Sequence, residues 1–319
     1  MGKYMQILGL CLMLILFGSC LLPYALELTK PEELPLESPY SDGAFALIDD
    51  VWVHYRLLAP KKEILVGKIL LVHGLGGSIY SFQAVIPALV KAGYMVIAVD
   101  LPGFGYSGRP ENFDHSQAHR ATILWQLLDT LDDSEQPWVL LGHSMGGGTA
   151  TAMALERPKD TMSLVLVAGA LEDFSFSNSL LLKFPPLARW VQLYLERTLL
   201  TEKQVGNILF KAYGREANEE EIRAYLEPLQ LPGTARGAIS FVKTSHSVPL
   251  EDLSTLDMPV IAIWGALDTV VPLEKKSIIS ERVSQLQLAV LPEAAHIPME
   301  THPEQFNAIL LEFLDSMMP

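Results

Sequence analysis

Six short apolar runs punctuate the chain: Ile69–Val72, Met95–Val99, Val139–Leu141, Leu164–Val167, Val260–Ile263 and Leu286–Leu291. Most are continuous rather than alternating, the pattern of strands covered on both faces. Helical stretches such as Phe82–Ala92, His115–Leu131 and Gly147–Glu156 lie between them. Strand and helix in alternation predict an α/β fold, with a mostly parallel sheet and helices on both sides. Ala44–Ile48 and Val51–Leu58 do alternate, and read as a hairpin ahead of the parallel part. One connection breaks the rhythm, because roughly ninety residues separate Ala170 from Met258. An insert of that length needs structure of its own. Its helix-forming composition predicts a helical cap over the C-terminal strand ends, where ligands bind in open α/β sheets. Leu182, Phe184 and Trp190 are its candidate pocket-lining residues. A helical subdomain with no lid role is the other reading.

Composition narrows the function. Half of the 319 residues are hydrophobic, ample for a large core. With 23 Lys+Arg against 37 Asp+Glu the net charge is −14, which excludes a nucleic-acid partner that would need rows of phosphates neutralised. Only Cys11 and Cys20 are cysteines, so neither a disulfide framework nor a cysteine metal site can exist beyond Cys20. His54, His115, His119, His246 and His302 have no metal-ligand spacing and read as surface or structural residues. No metal and no cofactor is expected.

The first forty residues follow different rules. Lys3 stands alone before an uncharged segment from Tyr4 to Leu26, and Ile7–Phe17 is an apolar run followed by Gly18, Ser19 and Cys20. A basic start, an apolar stretch and a small-residue boundary make a secretory signal. Phe17-Gly18-Ser19-Cys20 resembles the cleavage box of bacterial lipoproteins, which makes Cys20 a lipidation candidate. The segment is also long enough for an uncleaved transmembrane helix. Both readings place Lys3 inside and the remainder outside the cytoplasm, anchored to a membrane. Prolines 23, 31, 35 and 39, interleaved with glutamates, then read as an extended tether. The expected division is residues 1–19 signal or anchor, 20–43 tether, 44–169 and 259–319 catalytic core, and 170–258 cap.

The sharpest local signal is Gly142-His143-Ser144-Met145-Gly146, directly after an apolar strand and before a helix. A serine at such a turn takes strained backbone angles, and small residues two before and two after let the chain reverse beneath it. The helix that follows offers unpaired N–H groups and a dipole favourable to developing negative charge.

With that motif the chain resembles the α/β-hydrolase superfamily, and further matches follow in order. His73-Gly74-Leu75-Gly76-Gly77 follows its strand as the family's oxyanion loop does. The resemblance assigns the backbone N–H groups of Leu75 and Met145 to the oxyanion hole, a large term in such catalysis. Asp100-Leu101-Pro102-Gly103 matches the turn after the next strand, where Asp100 is read as structural. Asp268, after Trp264-Gly265, stands at the family's acid position, and His296 in Ala294-Ala295-His296 at that of its base. The order Ser144, Asp268, His296 is the order this fold uses. Glu172 is the minor alternative for the acid, and His73 and His143 read as supporting rather than catalytic residues.

A serine activated by a base forms a covalent acyl intermediate that water releases. The resemblance therefore implies a small-molecule carboxylic ester as substrate, hydrolysed by an esterase or lipase with a hydrophobic acyl group. Hydrolysis of a carbon–carbon bond in ring-fission products, cofactor-free haloperoxidase chemistry and a decayed binding protein stay open behind it. Ser144 argues against the aspartate-nucleophile relatives.

Overall fold

The computed structural model describes residues 2–26, 37–60, 65–172, 184–196 and 201–317. Helix α1 (Gly2–Ala25) precedes a hairpin of β1 (Gly43–Ile48) and β2 (Val51–Leu58), followed by β3 (Gly67–Val72), α2 (Val85–Ala92), β4 (Tyr94–Val99), α3 (Gln117–Leu131), β5 (Trp138–His143), α4 (Met145–Glu156) and β6 (Thr161–Val167). The insert carries α5 (Pro185–Tyr194), α6 (Glu202–Tyr213), α7 (Glu219–Leu229) and α8 (Thr234–Thr244). The chain then returns through β7 (Val260–Gly265), α9 (Ser277–Ser280), β8 (Leu286–Leu291), α10 (Pro298–Thr301) and α11 (Pro303–Asp315).

The eight strands form one sheet in the order β1-β2-β4-β3-β5-β6-β7-β8. Only the β1–β2 and β2–β4 pairs are antiparallel. Every pair from β4 through to β8 is parallel. The hairpin turns on Asp49 and Asp50, at φ 46° and 62°, the doubly positive geometry that matches strand twist. Strands β3, β5 and β7 are buried along their whole length, as their unbroken apolar runs require. Successive residues feed opposite faces: Leu70 and Val72 join one core with α3 and α4, while Ile69 and Leu71 join the other with α2 and α11. Leu286–Leu291 departs from the expectation of a buried strand. As the last strand it has one neighbour, and Leu288 and Val290 lie exposed on it.

The sheet closes across the insert, since β6 pairs with β7 from Leu164↔Val260 to Val167↔Ile263. Within the insert the helices are locally specified. Asn218 and Glu221 form a reciprocal capping box at the start of α7, and Thr201 caps α6. Val205, Leu209, Tyr213, Tyr225 and Leu226 of α6 and α7 pack into the same core as α2 and α11. That half of the cap is thus continuous with the body of the fold.

Helix α1 runs unbroken through residue 20, and the tether residues 27–36 lie outside the described residues. Its side chains Leu10, Leu12, Met13, Leu14, Ile15, Leu16 and Phe17 are exposed. It meets the cap at α5, where Trp190 donates its indole N–H to the Ser19 carbonyl and Arg189 donates to the carbonyls of Pro23 and Leu26. Among the described residues, no helix is long and apolar enough to cross a membrane.

Candidate functional site

The site is assembled from three strand ends. Ser144 follows β5, Asp268 follows β7 and His296 follows β8. All three are buried. Ser144 has φ 50° and ψ −119°, a conformation that a side chain strongly disfavours. Its turn is fixed on both sides, because Ser144 N–H donates to the Val167 carbonyl while the Ser144 carbonyl accepts from Gly147 and Ala170. The two flanking glycines are required by contact. A Cβ on Gly142 would stand 2.2 Å from the Gly146 carbonyl oxygen, and one on Gly146 would stand 2.3 Å from that of Val72.

Asp268 and His296 form a directed pair. His296 Nδ1 lies 2.8 Å from Asp268 Oδ2, and the other carboxylate oxygen accepts from the N–H groups of Val270 and Val271 at 2.8 and 2.9 Å. With both oxygens held, the carboxylate fixes the imidazole plane and leaves Nε2 as the ring's outward nitrogen. His296 is tied to the Ser144 turn as well, since its carbonyl accepts from His143 Nε2 at 3.0 Å and His143 directly precedes Ser144. The two imidazole rings lie 4.8 Å apart. Burial, and then the neighbouring His296, push His143 well below the ordinary histidine pKa, so it is a neutral Nε2–H donor.

The two residues expected at the oxyanion hole, Leu75 and Met145, lie on segments beside Ser144. Met145 opens α4, so its N–H has no partner within that helix. Leu75 lies on the loop after β3, and Gly74 beside it packs so closely that a Cβ there would be 3.1 Å from Ser144 Cβ. His73 anchors this loop. Its Nδ1 meets the Gly74 carbonyl at 2.7 Å and its Nε2 accepts from Leu101 N–H, with burial lowering its pKa.

Asp100 is a structural knot, as its position in the sequence implies. Fully buried, it accepts from Ile79 N–H, Tyr106 N–H and His54 Nδ1 at 2.7, 2.8 and 2.7 Å. Burial alone would raise its pKa, but the hydrogen bond and charge of His54 prevail and hold it below the ordinary carboxylate value. His54 and His115 are both buried, and so structural rather than surface residues. His115 lies among Phe104, Phe113 and Phe241, and burial pushes its pKa down to about 3.

The remaining candidates lie apart from this cluster. Glu172 is at the surface, ion-paired with Lys275. Phe184 is exposed, and Trp190 is turned to α1. Leu182 lies outside the described residues. Cys11 and Cys20 are free thiols on α1. Sequence reasoning missed the contacts from the cap: the Ala212 carbonyl at the end of α6 accepts from His296 N–H at 2.9 Å, and Tyr213 and Tyr225 both bond Glu300. The only available signal was the position of Glu300, four residues after His296.

Comparison with known proteins bears on this arrangement. A family model described as alpha/beta hydrolase fold matches residues 68–303. A 2-hydroxy-6-oxononadienedioate/2-hydroxy-6-oxononatrienedioate hydrolase of Burkholderia vietnamiensis is 30% identical over 276 residues, 82% of this chain and 90% of the relative. A pimeloyl-[acyl-carrier protein] methyl ester esterase of Aeromonas hydrophila is 27% identical over 252 residues, 77% of this chain and 94% of the relative. Among solved structures, a membrane phospholipase A superposes with a TM-score of 0.69 at 20% identity, over 99% of each chain, a span that takes in α1. The family match over residues 68–303 and the 30% identity to the Burkholderia hydrolase give the classification: the chain is a hydrolase and belongs to the α/β-hydrolase fold family.

Proposed function

We propose that the chain hydrolyses carboxylic esters with an apolar acyl group, using Ser144 as nucleophile, His296 as general base and Asp268 to orient it. The observation that carries this reading is the His296–Asp268 pair, whose carboxylate is held on both oxygens while the ring lies tilted against that of His143, the neighbour of Ser144. Ser144 Oγ attacks the ester carbonyl carbon and gives its proton to His296 Nε2. The carbonyl oxygen becomes an oxyanion between the N–H groups of Leu75 and Met145. Collapse breaks the bond to the alcohol, which leaves with the proton from His296. Water, deprotonated by the same nitrogen, then attacks the acyl carbon, and the carboxylic acid leaves as Ser144 regains its proton.

The Aeromonas relative supports the ester reading, and the Burkholderia relative supports a second one, hydrolysis of a carbon–carbon bond next to a ketone. We favour the ester because an apolar N-terminal segment ending at Cys20 suits a chain delivered to a lipid surface, where ester acyl groups are abundant. The likeness to the membrane phospholipase A over its full length agrees with that placement. We infer accordingly that the N-terminal segment anchors the chain outside the cytoplasm, through lipid on Cys20. Intact mass of membrane-extracted protein tests this: a chain starting at an acylated Cys20 is expected, and one starting at Met1 or Gly2 makes α1 itself the anchor.

The activity test compares full-length protein with Ser144→Ala on chromogenic esters of increasing acyl length and on a ring-fission dienoate. Turnover of esters that is absent from the variant is expected, with an optimum above acetyl. Turnover of the dienoate alone would overturn the ester reading and keep the triad.

A further inference from the structure

We propose that Glu300 is a positioning residue for His296, and that it acts by clamping the α6–α7 half of the cap onto the loop that carries the histidine. The proposal rests on the triad reading above.

Glu300 stands four residues after His296, on the single turn of α10. Its Oε2 accepts from Tyr213 OH at the end of α6, and its Oε1 from Tyr225 OH in α7, both at 2.5 Å. Tyr225 OH also meets Ser81 Oγ at 3.1 Å, on the turn that follows the Gly74–Gly77 loop. One carboxylate therefore ties together two cap helices, the histidine loop and the segment after the oxyanion loop. Hydrogen bonds from hydroxyls to a carboxylate are short and strong, and both tyrosines are buried, so the network excludes most alternative geometries.

The same end of α6 grips the loop a second time. The Ala212 carbonyl accepts His296 N–H at 2.9 Å, and α6 stops at Gly214, whose φ of 70° brings it against Ala295. A Cβ on Gly214 would already touch Ala295 Cβ at 3.3 Å. The backbone of His296 is thus hung from the cap while its ring is held by Asp268. A histidine so shared between two domains of the fold keeps its position only while the cap is seated. The reacting nitrogen tolerates little displacement, since an error of about 1 Å costs on the order of a hundredfold in rate.

The test uses full-length protein carrying Tyr213→Phe, Tyr225→Phe, both together, Glu300→Ala or Glu300→Gln. Each is assayed for ester kcat and KM, for the second-order rate of Ser144 phosphonylation by a fluorophosphonate (the Oγ–P bond forms and fluoride leaves), and for melting temperature. The double Tyr→Phe variant and Glu300→Ala are expected to lose about ten- to a hundredfold in kcat and in phosphonylation rate, with KM within about twofold. Glu300→Gln, which accepts from one tyrosine and donates to the other, is expected to recover most of that loss. The single Tyr213→Phe variant keeps one strut and reports if the larger changes unfold the chain. Lower melting temperature with unchanged kcat would overturn the proposal, leaving the network a mere cap fastening. A rise in KM alone would overturn it in favour of substrate binding, and a Gln variant as poor as Ala would do so by making charge the operative feature. If wild-type protein neither hydrolyses esters nor reacts with the fluorophosphonate, the triad reading fails and takes this one with it; if only the variants behave as wild type, the triad stands and the clamp does not.

Discussion

Replacing Ser144 by glycine should make the protein more stable while abolishing its activity. The serine is held at φ 50° and ψ −119°, and a non-glycine residue in such a region stores about 1–3 kcal/mol. Glycine relieves that strain but widens the unfolded ensemble, a loss of about 0.5–1 kcal/mol. The net expectation is a gain of about 0.5–2 kcal/mol, and at about 2–4 °C per kcal/mol for a domain of this order the melting temperature rises by about 1–8 °C. Ser144→Ala is the control, since it removes the same hydroxyl but keeps the Cβ and therefore the strain. Thermal unfolding followed by circular dichroism on wild type and both variants separates the two effects. Equal melting temperatures for the Gly and Ala variants would refute the reasoning. The stabilising effect would then belong to the lost hydroxyl, or the turn would carry no strain.

Four further outcomes are expected. Asp100→Ala orphans two buried N–H groups and His54, and should lose about 3–5 kcal/mol in chemical denaturation. Because the Asp100 pKa is lowered by folding, its ionised form stabilises the fold fully above the unfolded carboxylate's pKa of about 4, and this contribution fades as pH falls through the lower folded value. The wild-type advantage over Asp100→Asn should shrink accordingly in urea titrations below about pH 4. Asp268→Asn should lower kcat by about 10³–10⁴-fold, whereas Glu172→Gln, which breaks a surface ion pair, should leave kcat within about twofold.

Much of this molecule was legible in the chain because its strands are buried on both faces. Ile69–Val72 and Val260–Ile263 have no polar residue to blur the pattern, so strand positions followed from local sequence. The serine turn was legible for a related reason: its glycines are demanded by backbone contacts that any such turn makes. What escaped were pairings over long separations. Nothing near His54 in the chain points to Asp100, and nothing near Tyr213 points to Glu300, since those partners meet only after the sheet and cap have formed. Strand β8 escaped in the opposite sense. Its apolar run reads as interior, yet being last in the sheet exposes part of it. The seating of α1 on α5 was equally invisible, because Trp190 and Arg189 address backbone carbonyls, which carry no sequence identity.

The point of insertion between β6 and β7 has a consequence for how such a chain can change. Stretching a crossover from about ten residues to about ninety adds only ~2 kcal/mol of closure entropy. The ladder from Leu164 to Val167 against Val260 to Ile263 can absorb that without shifting register. Lengthening, shortening or exchanging the insert is thus thermodynamically mild for the sheet. It is not mild for the loop that carries His296, because Ala212 and Tyr213 lie on the inserted segment while their partners His296 and Glu300 lie after it in the chain. On the mechanism proposed above, a lineage that swaps the segment to accept a new molecule would reset turnover in the same event. On that proposal, selectivity and speed are inherited as a single character.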